Sequence, residues 1–191
     1  MTRRTDAIAS ARRAGKSARR ALSPNYRLAA SNAIADRVVR MHEFVACKTL
    51  ACYLPMPDEV DATAVIERAW RMRKHVYAPV IDQHGGMRFV RLCPDTKLNR
   101  NWYGLWEPES GAQIQAQDVD IVITPVVAFD KHRHRIGMGS AYFDRCFAFL
   151  RHKQNWLRPK LVGLAFNCQQ VEKIKPNPWD IPLYKVITEH L

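Results

Sequence analysis

The apolar residues of this chain change their period several times, and each change predicts an element. Residues 7–21 read as a basic helix. Ser23-Pro24 then supplies an N-cap followed by proline at the first helical position. Ala30, Ile34, Val38 and Met41 recur at helical spacing, so a second helix is expected to reach about residue 43 with one face buried. Thr49 to Leu54 is a short apolar run closed by Pro55 and Pro57, the pattern of a buried strand. Asp61 to about Arg73 returns to helical spacing, with Ala62, Val65, Ile66 and Trp70 on one side. His75–Val80 and Met87–Leu92 predict two further strands.

Lys97 to Ala116 has no period and predicts a long connection carrying Trp102, Tyr103 and Trp106, the two tryptophans being expected to pack in the core rather than to flank a ligand. Val119 to Phe129 is the most hydrophobic run, which predicts a strand central in the sheet. A charged turn, closely spaced glycines and a helix from about Ser140 to His152 follow, and Leu161–Phe166 and Tyr184–Thr188 close the series. Strands alternating with helices predict an α/β fold: a three-layer domain with a largely parallel sheet and helices on both faces. No repeat or linker interrupts the chain, so residues 1–191 are expected to form a single domain.

Hydrophobic residues make up 47% of the chain and charged ones 25%, the balance of a soluble globular protein. No stretch approaches the roughly 18 apolar residues of a membrane helix. The cysteines (Cys47, Cys52, Cys93, Cys146, Cys168) are odd in number, lack CxxC spacing and sit mostly in apolar runs. They read as buried free thiols of a reducing, cytoplasmic setting, and a zinc site is not expected.

The net charge of +12 implies attraction to something anionic. Much of it lies at Arg3, Arg4, Arg12, Arg13, Lys16, Arg19 and Arg20, a stretch faintly similar to a mitochondrial presequence. Because it runs straight into a capped helix, it is assigned to the fold. Nucleic acid is a poor fit: aromatics are not interleaved with the basic residues, and no helix-turn-helix or zinc-finger spacing occurs.

The candidate chemistry lies between Pro125 and Arg145. A strand is followed by a basic turn, then Arg135-Ile136-Gly137-Met138-Gly139-Ser140-Ala141-Tyr142-Phe143-Asp144. Glycines let backbone approach an anion, and the N–H groups of a first helical turn point toward it. Arg135 can add a phosphate contact, and a carboxylate at Asp144 can hold magnesium together with phosphate oxygens and waters. The same spacing also fits an ordinary turn with an acid favoured by the helix dipole. It is neither a Walker loop nor a dinucleotide fingerprint.

This stretch resembles the signature P-x-x-A-F-D-x-x-G-x-R-L-G-x-G-x-G-Y-Y-D-R of the 5-formyltetrahydrofolate cyclo-ligase family. Ile136 stands for Leu and Phe143 for the second Tyr. Further matches are Arg19-Arg20-Ala21-Leu22-Ser23, Pro57-Asp58-Glu59-Val60-Asp61, Gly104-Leu105-Trp106-Glu107-Pro108, Gln170-Val171-Glu172-Lys173 and Trp179-Asp180-Ile181-Pro182-Leu183. The resemblance implies an ATP- and Mg2+-dependent conversion of 5-formyltetrahydrofolate to 5,10-methenyltetrahydrofolate; the protein is expected to be a monomer. By the same resemblance, Arg135 and Tyr142 are catalytic. Arg12 and Lys16, on a basic helix spanning residues 1–22, and Arg135 to Phe143 hold ATP. Leu54, Glu59 and Met138 to Tyr142 hold the folate, and Asp144 and Asp180 hold the metal. Arg19 and Arg20 are either further phosphate contacts or a solvated face, Glu59 on spacing alone reads as a surface acid, and His132 and His134 are expected to be exposed.

Three departures stand out. Ala141 replaces the last glycine of the turn, Arg133 replaces the glycine before the R-L-G element, and the family's N-terminal lysine falls at Ile8. A non-catalytic folate- or nucleotide-binding relative is the alternative these departures suggest, and a basic nucleic-acid-binding protein is the alternative from charge.

Overall fold

The computed structural model describes residues 2–82, 85–152 and 158–190. Helix α1 (Thr2–Ala21) starts before the predicted basic stretch, and α2 (Pro24–Arg40) begins where the sequence placed it. Ser23 Oγ accepts the Tyr26 N–H at 3.2 Å, and Pro24 occupies the first turn. The expected helix to residue 43 is two helices. Met41 adopts extended backbone (ψ 135), and a separate α3 (His42–Ala46) follows. Apolar positions run on from Val38 through Met41 to Phe44, which hides the break from periodicity. Lys74 Nζ anchors the end of α3 by donating to the carbonyls of Val45 and Cys47 at 2.9 and 2.8 Å.

The next elements are β1 (Thr49–Cys52), α4 (Thr63–Arg71), β2 (His75–Ile81) and β3 (Met87–Arg91). After them come β4 (Leu98–Arg100), β5 (Trp106–Pro108), β6 (Gln113–Ile114), β7 (Ile121–Pro125), β8 (Ala128–Phe129) and β9 (Arg135–Ile136). Helix α5 (Tyr142–Cys146) and strands β10 (Lys160–Leu164) and β11 (Lys185–Ile187) complete the set. Seven strands form the main sheet in the order β6-β3-β2-β1-β7-β10-β11. The strands from β2 to β11 pair in parallel, and β3 and β6 add antiparallel at one edge.

Alternate residues of the parallel strands point to opposite faces. Leu50, Ile121, Ile123, Val162 and Leu164 join Ile34, Val38, Phe44, Val65 and Ile66 from α2 to α4 in one core. Ala51, Val122 and Leu161 face the other way, against Phe147, Leu183 and the partly buried Phe143. The second layer is thinner than the expected Ser140–His152 helix implies, because α5 is a single turn continued by a 3-10 segment, Ala148–His152.

The long apolar run Val119–Phe129 is not one strand. Pro125 lacks the N–H needed to extend the ladder, and the chain turns away before β8 pairs with β9 as a hairpin. The segment 97–116 also carries structure, an exposed β4–β5 hairpin plus β6. Trp102 and Trp106 lie on or beside that hairpin and are 57% and 43% exposed, so neither is a core residue. Of the cysteines only Cys47 and Cys52 are buried; Cys93 and Cys146 are half-buried and Cys168 is exposed.

Candidate active site

Strand β1 is flanked by β2 on one side and β7 on the other, so the chain winds outward in both directions from this pair. Such a switch point leaves a crevice beyond the carboxyl ends of the strands. Here it is a cleft of about 600 Å3, within the range of small-molecule sites. Tyr53 and Leu54 follow β1 into it, Pro125 and Val127 come from the end of β7, and the glycine turn forms one wall.

The turn is held by a buried carboxylate. Asp130 is 1% exposed, and its Oδ1 accepts the N–H groups of His132 and His134 at 2.9 and 3.0 Å. Oδ2 pairs with His134 Nδ1 at 3.0 Å and accepts the Ile174 N–H at 2.8 Å. Burial works against the Asp130 charge, but these hydrogen bonds outweigh it and hold the carboxyl below the usual aspartate range. His134 is therefore half-buried and paired, contrary to the exposure expected of it.

Both glycine replacements fall where the backbone is left-handed: φ is 68° at Arg133 and 51° at Ala141, the residue that opens α5. Gly139, at φ 123°, keeps a conformation that favours glycine. The guanidinium of Arg12 covers this turn, its Nε donating to the Gly137 carbonyl at 2.9 Å. A Cβ on Gly139 would lie 3.7 Å from Arg12 Cζ. Helix α1 reaches the turn because Gly15 presses against the bend after β7. A Cβ at Gly15 would sit 2.2 Å from the Val127 carbonyl oxygen.

Arg135 is almost wholly buried and bridges elements. Its Nη2 donates to Asp144 Oδ1 at 2.8 Å and its Nη1 to the Ile181 carbonyl. Desolvation lowers its pKa, and the neighbouring charges of Asp144 and Asp180 oppose that. Asp144 Oδ1 also accepts the Ile181 N–H at 3.0 Å, and Asp180 Oδ2 accepts that of Asn177 at 2.7 Å. Two carboxylates beside one guanidinium, both on the cleft wall, form a donor set suited to Mg2+ that takes its remaining ligands from phosphate and water. Among the described residues no group of three or more His, Cys, Asp or Glu forms a protein cage for a metal.

At the other end, Glu59 is not the surface acid its spacing suggests. It is 9% exposed and lines the cleft. Desolvation raises its carboxyl above the usual range, opposed by the Met56 N–H and by Arg19. Arg19 is itself buried against Asp58 and Glu59, and Arg20 pairs with Asp58. Their charges are therefore used within the protein. Lys16 is half-buried on α1 and lies outside the cleft lining. The other predicted positions (Leu54, Glu59, Arg12, Arg135 to Phe143, Asp144 and Asp180) all border the one cleft.

Sequence reasoning missed Tyr103 at the mouth. Its hydroxyl meets that of Tyr142 at 2.7 Å, and Arg145 lies over the Tyr142 ring at 4.9 Å. Nothing local signals a contact between residues so far apart in sequence. Ile8, noted in the sequence as one of the three departures, also borders the cleft, one turn before Arg12 on α1.

The model of the family described as the 5-formyltetrahydrofolate cyclo-ligase family matches residues 4–189. A 5-formyltetrahydrofolate cyclo-ligase from Escherichia coli (strain K12) is 35% identical over 176 residues, covering 89% of this chain and 93% of its own. One from Haemophilus influenzae is 34% identical over 164 residues, covering 83% and 84%. The solution structure of the Aquifex aeolicus 5,10-methenyltetrahydrofolate synthetase superposes with a TM-score of 0.81 at 27% identity, over 95% of this chain and 89% of that one.

Proposed function

The chain belongs to the 5-formyltetrahydrofolate cyclo-ligase family, and from that premise we propose how its cleft converts 5-formyltetrahydrofolate to 5,10-methenyltetrahydrofolate with ATP as co-substrate. The observation that carries the reading is the continuity of the cleft. Arg12 and the glycine turn, the carboxylates Asp144 and Asp180, and the buried Glu59 border one cavity. A nucleotide and a folate bound there are held with their reacting ends together.

The triphosphate lies along the backbone from Gly137 to Phe143, under the Arg12 guanidinium. Mg2+, held by Asp144 and Asp180, would neutralise phosphate charge as the γ-phosphoryl group moves. Arg135, already charge-supported by both carboxylates, keeps them oriented and presents a cation to the phosphates. The pterin lies between Leu54 and the Tyr142 side of the turn, with Glu59 accepting from its amino-pyrimidine edge.

In the reaction, the formyl oxygen attacks the γ-phosphorus and ADP leaves. The folate nitrogen at position 10 then adds to the activated carbon and gives up its proton. The carbon–oxygen bond breaks, and phosphate departs with the former formyl oxygen. Tyr142, bonded to Tyr103, borders the space where this occurs and helps exclude water. In this reading one copy of the chain supplies every residue named, and the enzyme acts as a monomer built as a single domain. Five thiols without a disulfide suit the reducing cytoplasm.

The test is formation of the methenyl product, followed by its near-ultraviolet absorbance, from 5-formyltetrahydrofolate and MgATP. One ADP per product is expected. Folded protein that binds both ligands but releases neither ADP nor product is instead a non-catalytic relative.

A further inference from the structure

Arg19 is the least expected side chain in the molecule. It belongs to a strongly polar helix, yet its side chain is only 2% exposed. A guanidinium is buried at high cost unless it is paired and hydrogen-bonded. This one is paired three times. Nε donates to Asp58 Oδ2 at 3.1 Å, Nη2 donates to Asp58 Oδ1 at 3.2 Å, and Nη1 lies 3.5 Å from Glu59 Oε1. The fork is thus fixed by Asp58, with one arm left to face Glu59. The exposed Arg20 reinforces the arrangement from outside, its Nε 3.1 Å from Asp58 Oδ2.

Glu59 is accordingly gripped from two sides. Its Oε2 accepts the Met56 N–H at 3.2 Å, and its Oε1 faces Arg19. The charged and titratable groups near it are Arg19 from α1, Asp58 from its own loop, and Tyr53 from the end of β1. The Tyr53 hydroxyl is engaged elsewhere, donating to the Val60 carbonyl at 2.6 Å. Arg19 therefore supplies the positive charge that opposes the cost of burying this carboxylate.

The same helix reaches the other half of the site. Arg12 precedes Arg19 by seven residues, close to two helical turns and about 10 Å along the axis, so the two project from one face. Arg12 is bonded to Gly137 of the turn. Between them Gly15 is seated against Val127.

We infer that Arg19 is a positioning residue for the folate half of the cleft, pairing with Glu59 and keeping it aimed at the pterin edge. Through Arg19 and Arg12, α1 ties the pterin carboxylate and the phosphate turn into one frame. The inference rests on the reading that Glu59 accepts from the pterin.

Its test is the pH dependence of kcat/KM for 5-formyltetrahydrofolate at saturating MgATP, with the KM for ATP measured alongside. Arg19→Met removes the favourable charge, so the acid limb moves to higher pH. A displacement of one pH unit is read as about a tenfold loss on that limb. Asp58→Asn removes a repelling carboxylate while keeping the arginine, so the limb moves to lower pH. Should the methionine variant fail to fold, Arg19→Lys, which keeps the charge without the fork, is expected to shift the limb upward by less. In each folded variant the KM for ATP stays within about twofold. A uniform loss of activity with the limb unmoved in Asp58→Asn and in the folded Arg19 variant overturns the inference, leaving Arg19 as a structural ion pair. Glu59→Gln distinguishes the two levels. It abolishes the limb and raises the folate KM if Glu59 takes the pterin, and if limb and KM stay unchanged, that reading and the inference fall together.

Discussion

Arg12 Nε and the carbonyl oxygen of Gly137 lie 2.9 Å apart, although 125 residues separate them in the chain. This bond joins the basic N-terminal helix to the glycine turn, and it places the left-handed backbone at Gly139 under the Arg12 guanidinium. The excess positive charge near the N-terminus is thereby divided. Arg12 serves the cleft, Arg19 and Arg20 are neutralised by Asp58 and Glu59, and Lys16 lies outside the lining.

Alanine at 141 carries a left-handed backbone that glycine would adopt without strain. Ala141→Gly is expected to stabilise the protein by about 1 kcal/mol. For a chain of this size that raises the Tm by roughly 2–4 °C. Calorimetry or thermal circular dichroism checks it, and an unchanged or lower Tm contradicts it. Arg133→Gly should yield a smaller gain, because the Arg133 guanidinium also donates to the Tyr184 carbonyl at 3.2 Å.

Ile8 faces the cleft one turn before Arg12. Ile8→Lys adds an ammonium beside the phosphate path while its methylenes cover the apolar contacts with Ala128, Ile136 and Ile174. The KM for MgATP is expected to fall by about fivefold, close to 1 kcal/mol, with kcat little changed. Steady-state kinetics read this directly.

Asp144→Asn leaves the shape of the wall but removes one of the two carboxylates offered to Mg2+, and it unpairs Arg135. A loss in kcat of roughly a hundredfold or more is expected, with the fold retained by circular dichroism. Near-normal turnover would remove Asp144 from the metal site.

Asp130 contributes stability through a depressed folded-state pKa, despite its burial. Such a group stabilises fully above the ordinary aspartate pKa and progressively less as pH falls through the lowered folded value. Tm should therefore drop on acidification below about pH 4. In Asp130→Asn the loss at neutral pH should be about 3 kcal/mol, and the acid dependence flatter.

The sequence carried the α/β alternation, the cap at Ser23 and the strands around β1 because each is a local pattern with a fixed period. It also carried the glycine turn, whose residue types are tied to backbone demands. The split of Val119–Phe129 was less visible, since hydrophobicity alone does not show that Pro125 ends the ladder. The β4–β5 hairpin escaped because Leu98 to Arg100 are all exposed and show no inside–outside alternation. The burial of Glu59, which spacing alone reads as a surface acid, and of Arg19, left open between a phosphate contact and a solvated face, was hidden for a related reason. Their burial depends on each other and on Asp58, and mutual neutralisation across 40 residues leaves no local mark. Asp180 is a turn acid by its own neighbours, accepting from Asn177, and its place on the cleft wall comes from tertiary packing that no local pattern reveals.

The most direct measurement of the proposed chemistry follows the formyl oxygen itself. With 5-formyltetrahydrofolate labelled with 18O in the formyl group, MgATP and this enzyme, the label should be recovered in inorganic phosphate, one atom per methenyl product. Label appearing in water instead, with unlabelled phosphate, would show that the oxygen never became bonded to phosphorus and would contradict the account.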